Sequence, residues 1–574
     1  MHDLLFRNAL IFDGEGSPPA ACDVAVTNGR IAAIGGNLGV SACEVIPADG
    51  FALMPGIIDS HTHFDAQITW DPYVRPSPAL GVTTAVIGNC GFTIAPCKPQ
   101  DRDITMRNLT QVEGMSLDVL RQGIAWEFET FPEYMAQLRR KGSAVNIAAY
   151  IGHSSVRTYV MGDDASRRAA TDVEIEQMQT IVREAMQAGA VGFASSTSPA
   201  HNGEGGLPMP SRLADDREMR ALVTAMGECG HGVYMLTKGG QTPVPFLESL
   251  AADSGRPVMV AALLHNSTNP QAVFDDLDAI AAANTRGHAL IGQVSCCPLT
   301  MDFTMQSPYP VEGLKSWKPA LGAHGVTLKA ILASRDFRDG VRAELATTTN
   351  FRLFNGEWDK VQVVETTTSA HARYEQQTIA DIARIEGRDP LDVMLDLAVD
   401  ENLQTVFTAQ LLNSDEEAVG RMLNHRHSIV SLSDAGAHLT FFNDAGFGLH
   451  LMGHWARELG IMSIGEAVRR LTSQPAQVFG MRQRGMIREG YAADLLLFDP
   501  QTVARGPRRR VFDLPGGAPR LTTDAVGVHG VWVNGRMVAD GDGLLDSAPL
   551  EGQVLTDFLP FNMVVGPGAL AWRR

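Results

Sequence analysis

Pro55-Gly56-Ile57-Ile58-Asp59-Ser60-His61-Thr62-His63-Phe64-Asp65 is the stretch on which the reading of this chain turns. An apolar run leads into two histidines spaced i, i+2. Side chains alternate along a strand, so this spacing aims both imidazoles to one face at the strand's carboxyl end. Two neutral imidazoles there suit a divalent transition metal. A His-x-His pair alone carries little weight; the strand leading into it raises that weight.

Outward from this stretch, apolar segments alternate with helical patterns, the mark of parallel βα units. Segments 52–59, 84–88, 145–151, 190–194, 233–236, 258–264, 290–294 and 428–432 read as strands. Eight is the number a closed (β/α)8 barrel needs. Between two of them Thr171 and Glu174 form a capping box, which opens an amphipathic helix that Gly189 closes. Residues 101–141 exceed a normal βα connection and read as a helical insertion over the barrel.

Both ends of the chain are β-rich. Asn28-Gly29 lies between apolar runs, and Val531-Trp532-Val533-Asn534-Gly535-Arg536 repeats the phrase far away. Asn-Gly accepts positive φ at both positions and signals a hairpin. The two ends are expected to build one small β-sandwich from 1–54 and 481–545, beside a barrel over 55–480. The stretch 505–520, rich in Arg, Pro and Gly, reads as a loop. Residues 546–574 read as an extension that wraps a neighbouring element or another subunit.

The chain has 574 residues and a formal charge of −18. A surface of that sign repels phosphate backbones, so nucleic acid is not expected as a partner. Seven cysteines form an odd, sparse set that suits a reducing compartment. No basic-then-apolar leader opens the chain, and no apolar run approaches the ~20 residues that span a bilayer. A cytoplasmic enzyme with no membrane partner is the expectation.

The strand followed by Pro-Gly-Ile-Ile-Asp and His-x-His resembles the first barrel strand of the metal-dependent amidohydrolase superfamily. Val86-Ile87-Gly88-Asn89-Cys90-Gly91 resembles the second strand of its D-aminoacylase (N-acyl-D-amino-acid deacylase) branch, whose cysteine ligates metal. Ser431-Leu432-Ser433-Asp434-Ala435-Gly436 resembles the eighth-strand motif that carries the catalytic aspartate. Gly490-Tyr491-Ala492-Ala493-Asp494-Leu495 and Val533-Asn534-Gly535 resemble the closing sandwich strands. The resemblance implies a hydrolase for an amide C–N bond on a small molecule, with one or two zinc ions and a homo-oligomeric state.

It implies His61, His63, Cys90 and His265 as metal ligands and Asp434 as the acid/base that carries a proton to the leaving amine. At the family's fifth-strand histidine this chain has Thr237-Lys238, and Lys238 becomes a ligand if its amine is carboxylated. His153, His201 and His438 are candidates for contact with substrate. Taken as types alone, each of these has a plainer reading: Cys90 as a small core residue, Asp434 as a helix cap, the histidines as hydrogen-bonded structural groups.

The branch's substrate-holding tyrosine and lysine are replaced here by His201 and Ser267. A missing fixed cation points to a bulkier or less charged amide. Two rival readings stand beside this one: a cyclic-amide hydrolase, and an idle binding protein on the same fold. The first lacks the lysine usual on strand four, and the second rests on the missing strand-five histidine.

Overall fold

A computed structural model of the chain describes residues 1–347, 349 and 352–560, and the backbone of 565–566 and 569–570. Eight parallel strands follow one another around a sheet: β1 (Ile57–Asp59), β2 (Val82–Ile87), β3 (Asn146–Gly152), β4 (Gly192–Ser196), β5 (Val233–Thr237), β6 (Val258–Leu263), β7 (Leu290–Val294) and β8 (Ser428–Val430). Their residues are buried on both faces almost without exception, which is why they read as continuous apolar runs rather than alternating ones. The ring closes where the first and last strands end. Thr62 bridges Ala435, and the His63 amide donates to the Ala435 carbonyl at 2.7 Å. The fold is a (β/α)8 barrel.

The segment 52–59, read as one strand, is two. Ala52–Pro55 belongs to the terminal sheet and Ile57–Asp59 to the barrel. Gly56 is the joint: its amide donates to Asp494 O, and a Cβ there would lie 2.1 Å from the Thr83 side chain. The chain can pass this point only as glycine.

Both chain ends build the second sheet. Nine strands, from His2–Ile11 through Gly543–Leu544, join in it. It folds over its own core: Phe6 and Trp532 meet edge to face at 4.9 Å between centroids. Their strands are separated by two others in the hydrogen-bonded order, about 14 Å apart if the sheet were flat. Both Asn-Gly hairpins form, with Asn28 and Asn534 at φ 50° and 49°.

Two features differ from the sequence reading, and a third takes one of its two alternatives. Residues 505–520 are not a loop but the heart of a long ribbon, Ala504–Leu514 paired with Ala518–Val526. Its side chains face polar groups of the barrel mouth rather than a core, so it lacks an apolar signature. Between β7 and β8 lies a unit the sequence reading left inside the barrel. It is a three-stranded sheet (Leu299–Phe303, Val361–Glu365, Val406–Leu412) with helices and a separate core around Trp317, Phe337 and Phe407. The extension from 546 packs on its own barrel as far as it is described. Ile147 donates to Gln553 O, Leu555 to Ile147 O, and Leu559 to Gly480 O. Its residues 561–564, 567–568 and 571–574 lie outside the described residues.

The 101–141 insertion is three helices: α1 (Arg102–Val112), α2 (Leu117–Gly123) and α3 (Phe131–Lys141). The end of α1 reaches the barrel mouth, where the His438 amide donates to Glu113 O.

Candidate metal centre

His61 and His63 leave the end of β1 with their rings 5.3 Å apart, as the i, i+2 spacing requires. Cys90, just past β2, completes a buried group whose donor atoms lie within 4.8 Å of one another. Asp434, beyond β8, brings Oδ1 to 3.2 Å from His61 Nε2 and 3.5 Å from His63 Nε2. Both Nε2 atoms therefore turn inward. His61 Nδ1 is held from behind by Gln293 Oε1 at 2.7 Å, and Glu113 Oε1 lies 3.0 Å behind His63 Nδ1 as a charged neighbour without hydrogen-bond geometry. An acceptor behind Nδ1 keeps the proton there and leaves Nε2 as the basic, ligating atom.

Acidic and imidazole groups act on one another strongly here. Burial opposes charge on His61, but the Cys90 thiolate and Asp434 outweigh it and its pKa is raised. His63 is raised well above the usual range against the same burial penalty, chiefly by Glu113. Burial likewise opposes ionisation of Cys90, Glu113 and Asp434, yet His61 and His63 pull Cys90 and Asp434 below their ordinary values, and His63 with His438 does the same for Glu113. Two more carboxyls nearby, Asp59 and Asp65, are pushed up to about 7 by burial. The backbone is strained as well. Cys90, Leu432, Asp434 and His438 all have positive φ, between 46° and 66°, which costs free energy in a non-glycine residue.

The donor set fits a metal. Two imidazoles and a thiol are three donors of the kinds zinc takes, grouped within 4.8 Å, and the Asp434 carboxylate stands 3.2 and 3.5 Å from the two imidazoles. Asp434, at 24% exposure, is the most open of the four and the one that water reaches.

The amidohydrolase family model matches residues 44–539, most of the chain. The chain belongs to the amidohydrolase family. It is 28% identical to N-acyl-D-aspartate deacylase of Alcaligenes xylosoxydans xylosoxydans, over 98% of this chain and 96% of that protein. It is 29% identical to D-aminoacylase of the same organism, over 93% of this chain and 94% of that one. The solved N-acyl-D-glutamate deacylase of Bordetella bronchiseptica, bound to zinc and a phosphonate inhibitor, superposes with a TM-score of 0.66 at 25% identity. It covers 97% of this chain and 100% of that one.

Within this amidohydrolase the remaining candidate residues separate into three groups. His201 and His438 flank the centre. Both feel the charges of Glu113, His63 and Asp434. Burial holds His201 down to about 4 and lowers His438, so both are neutral at pH 7. His201 Nδ1 is fixed by Ser196 Oγ at 2.6 Å, and its ring packs against Phe92.

Lys238 and His265 are not brought to the centre. Thr237 occupies the inward position of β5, its hydroxyl 3.1 Å from Cys90 Sγ, so the next residue points away. Lys238 Nζ pairs instead with both carboxylate oxygens of Asp276 at 2.5 Å. His265 is held by Asn413 through its backbone, and its ring sits among Asp415, Lys360, Glu357 and Arg421.

His153 is a structural group. Its Nε2–H donates to Glu218 at 2.8 Å and its Nδ1 accepts from Ser195, with Glu218 also paired to Arg157.

Glu113 and Gln293 were absent from the sequence reading. Gln293 carried a signal, since a glutamine inside the apolar run 290–294 needs a partner. Glu113 carried none: an acid at a helix end has no spacing that ties it to a histidine fifty residues earlier.

Proposed function

We propose that this chain removes the acyl group from an N-acyl amino acid or a related bulky amide, with a single zinc ion held by His61, His63, Cys90 and Asp434. The observation that carries the reading is the convergence of both Nε2 atoms on the Asp434 carboxylate beside a buried thiol. The deacylase names of its full-length relatives point to the same class of amide. Zinc bound here supplies Lewis acidity toward the amide carbonyl and toward water at neutral pH.

The chain's own residues do the rest. Gln293 and Glu113 fix the rings. Asp434 Oδ1 faces the imidazoles, so Oδ2 takes the proton of the attacking water and delivers it to the leaving nitrogen, which departs poorly unless protonated. His438 and His201, neutral and close, present ring nitrogens to the substrate around the scissile group. Beside the centre, lined by Gly114 and His438 though by none of the four proposed metal residues, a cavity of about 690 Å³ lies against the β7–β8 unit, walled by Val112, Phe303, Met305 and Phe441. That is room for a ligand of appreciable bulk. Seven cysteines without a disulfide suit the proposed cytoplasmic location, and a homo-oligomer belongs to the same proposal.

The test is release of free amine from a panel of N-acyl amino acids of both hands, simple N-alkyl amides and cyclic amides, with zinc-loaded protein. The reading expects turnover of acyclic N-acyl compounds. Turnover confined to hydantoins or dihydropyrimidines would replace it.

A further inference from the structure

Strand β8 ends at Val430, before Asp434, so the strand itself does not aim that side chain. The chain between them turns through two left-handed residues, Leu432 at φ 66° and Asp434 at φ 46°, with Ser433 between them. Neither is glycine, so the turn costs free energy and persists only where its surroundings hold it. The ties that hold it come from β1. Ser433 Oγ donates to Asp59 Oδ2 at 2.6 Å, with His61 O at 3.1 Å as a second acceptor for the same proton. The same hydroxyl oxygen accepts the Ala435 amide at 3.1 Å. Ala435 O in turn accepts the His63 amide at 2.7 Å. Both neighbours of Asp434 are thus fastened to the strand that carries the two imidazoles.

Asp59 closes the junction. It is the last residue of β1 and fully buried. Both its carboxyl oxygens are used here, Oδ2 by the Ser433 hydroxyl and Oδ1 by the His61 amide at 3.3 Å. Burying a carboxyl is costly where a neutral pair would join the same strands. Such a pair exists on the same seam: Ser60 Oγ donates to Ser431 Oγ at 2.9 Å, and both are fully buried. The two ties differ in place. The Asp59 junction grips the residues on either side of Asp434, and the Ser60–Ser431 pair grips neither.

We propose that Ser433 and Asp59 are positioning residues that hold Asp434 in its left-handed turn, with its carboxylate 3.2 and 3.5 Å from the two imidazoles. This rests on the reading of Asp434 as the proton carrier. Neither residue touches the substrate. Without the tie, the turn relaxes and the carboxylate leaves its place between the imidazoles and the substrate. A displacement of about 1 Å is enough to lower the rate heavily.

The test is a double-mutant cycle on the zinc-loaded full chain with N-acyl amino acids, and, as a second readout, the visible spectrum of the cobalt-loaded chain. Ser433→Ala is expected to lower kcat on the order of 10- to 100-fold, with KM near that of the parent. In an Asp434→Asn background the same substitution is expected to cost nothing further, because residues that act as a unit are not additive. Ser431→Ala lowers the thermal midpoint and keeps kcat. With cobalt, Ser433→Ala shifts the d–d bands as Asp434→Asn does, and Ser431→Ala leaves them in place. If Ser433→Ala does not fold, Asp59→Asn, of the same size and with one acceptor oxygen fewer, carries the same cycle with the same expected outcome. An unchanged kcat, a loss that persists in full in the Asp434→Asn background, an equal loss in Ser431→Ala, or cobalt bands that ignore the tie would overturn the proposal. A wild-type chain that hydrolyses no N-acyl amino acid, while its cobalt bands respond to Ser433→Ala as to Asp434→Asn, would count against the proposed reaction and leave the tie in place.

Discussion

Two buried histidine–carboxylate clusters lie within this barrel, and only one is built for chemistry. Around His153, both ring nitrogens are used, the ring and Glu218 are fully buried, and Arg157 neutralises the carboxylate while donating to two backbone carbonyls. Burial lowers the His153 pKa, so that imidazole is neutral and its partner supplies the charge. Around His61 and His63 the outer nitrogens face Gln293 and Glu113, but the inner ones converge on a thiol and a carboxylate. Strained φ values gather at that second cluster, at Cys90, Leu432, Asp434 and His438. Burial and pairing are common to both. Convergence and stored strain belong to the centre alone, and these separate a site from a brace.

Asp434→Asn attacks the difference most sharply. Asparagine also tolerates positive φ, so the loop is preserved while the proton carrier is lost. A drop in kcat of about 10²- to 10⁴-fold is expected, with a shift in thermal midpoint much smaller than that of the next variant. A variant of near-normal rate would reassign the acid/base role.

Glu218→Gln should do the reverse. It leaves Arg157 and its charge buried without a counterion, at a cost of about 3–5 kcal/mol in denaturant unfolding, while kcat per folded molecule holds. The Glu218 pKa is lowered, burial being outweighed by His153 and Arg157. Its ionised form therefore contributes stability that is complete above the ordinary glutamate value of 4.5 and lost as pH falls through the lowered folded value. The gap between wild type and variant should narrow as pH falls below 4.5. A gap independent of pH would mean that the charge is not what Glu218 contributes.

Glu113→Gln tests the shared feature, a carboxylate behind an imidazole. Weakening such a partner costs about 10- to 100-fold in metal affinity, read by competition with a chromophoric chelator. Unchanged affinity would make Glu113 a packing residue of α1.

The barrel was legible because buried parallel strands print continuous apolar runs: seven of the eight runs overlap one barrel strand each, and the run 52–59 divides at Gly56 between two sheets. His61 and His63 were legible because they follow such a run directly, where the strand fixes the direction of the side chain; Cys90 and Asp434 were legible only through the motifs that resemble the family, since each has a plainer reading by type. What lay further from a strand was not. Lys238 is one residue beyond Thr237, and in a strand one residue reverses the face; the family's histidine position could be aligned to either. His265 follows its strand in the expected way, but the Asn413 clamp on its backbone belongs to the β7–β8 unit, which no motif announced. Glu113 follows the end of α1, and its approach to the centre is set by tertiary packing rather than by local spacing.

The account's central claim is that one ion is held by the β1, β2 and β8 ends and none by Lys238 or His265. Metal per chain, counted by elemental mass spectrometry on wild type and on three variants, tests it most directly. The prediction is about one zinc per chain, lost in His61→Ala/His63→Ala and retained in both Lys238→Met and His265→Ala. Two ions per chain, with one lost in either of the last two variants, would contradict it, as would a chain that binds no transition metal at all.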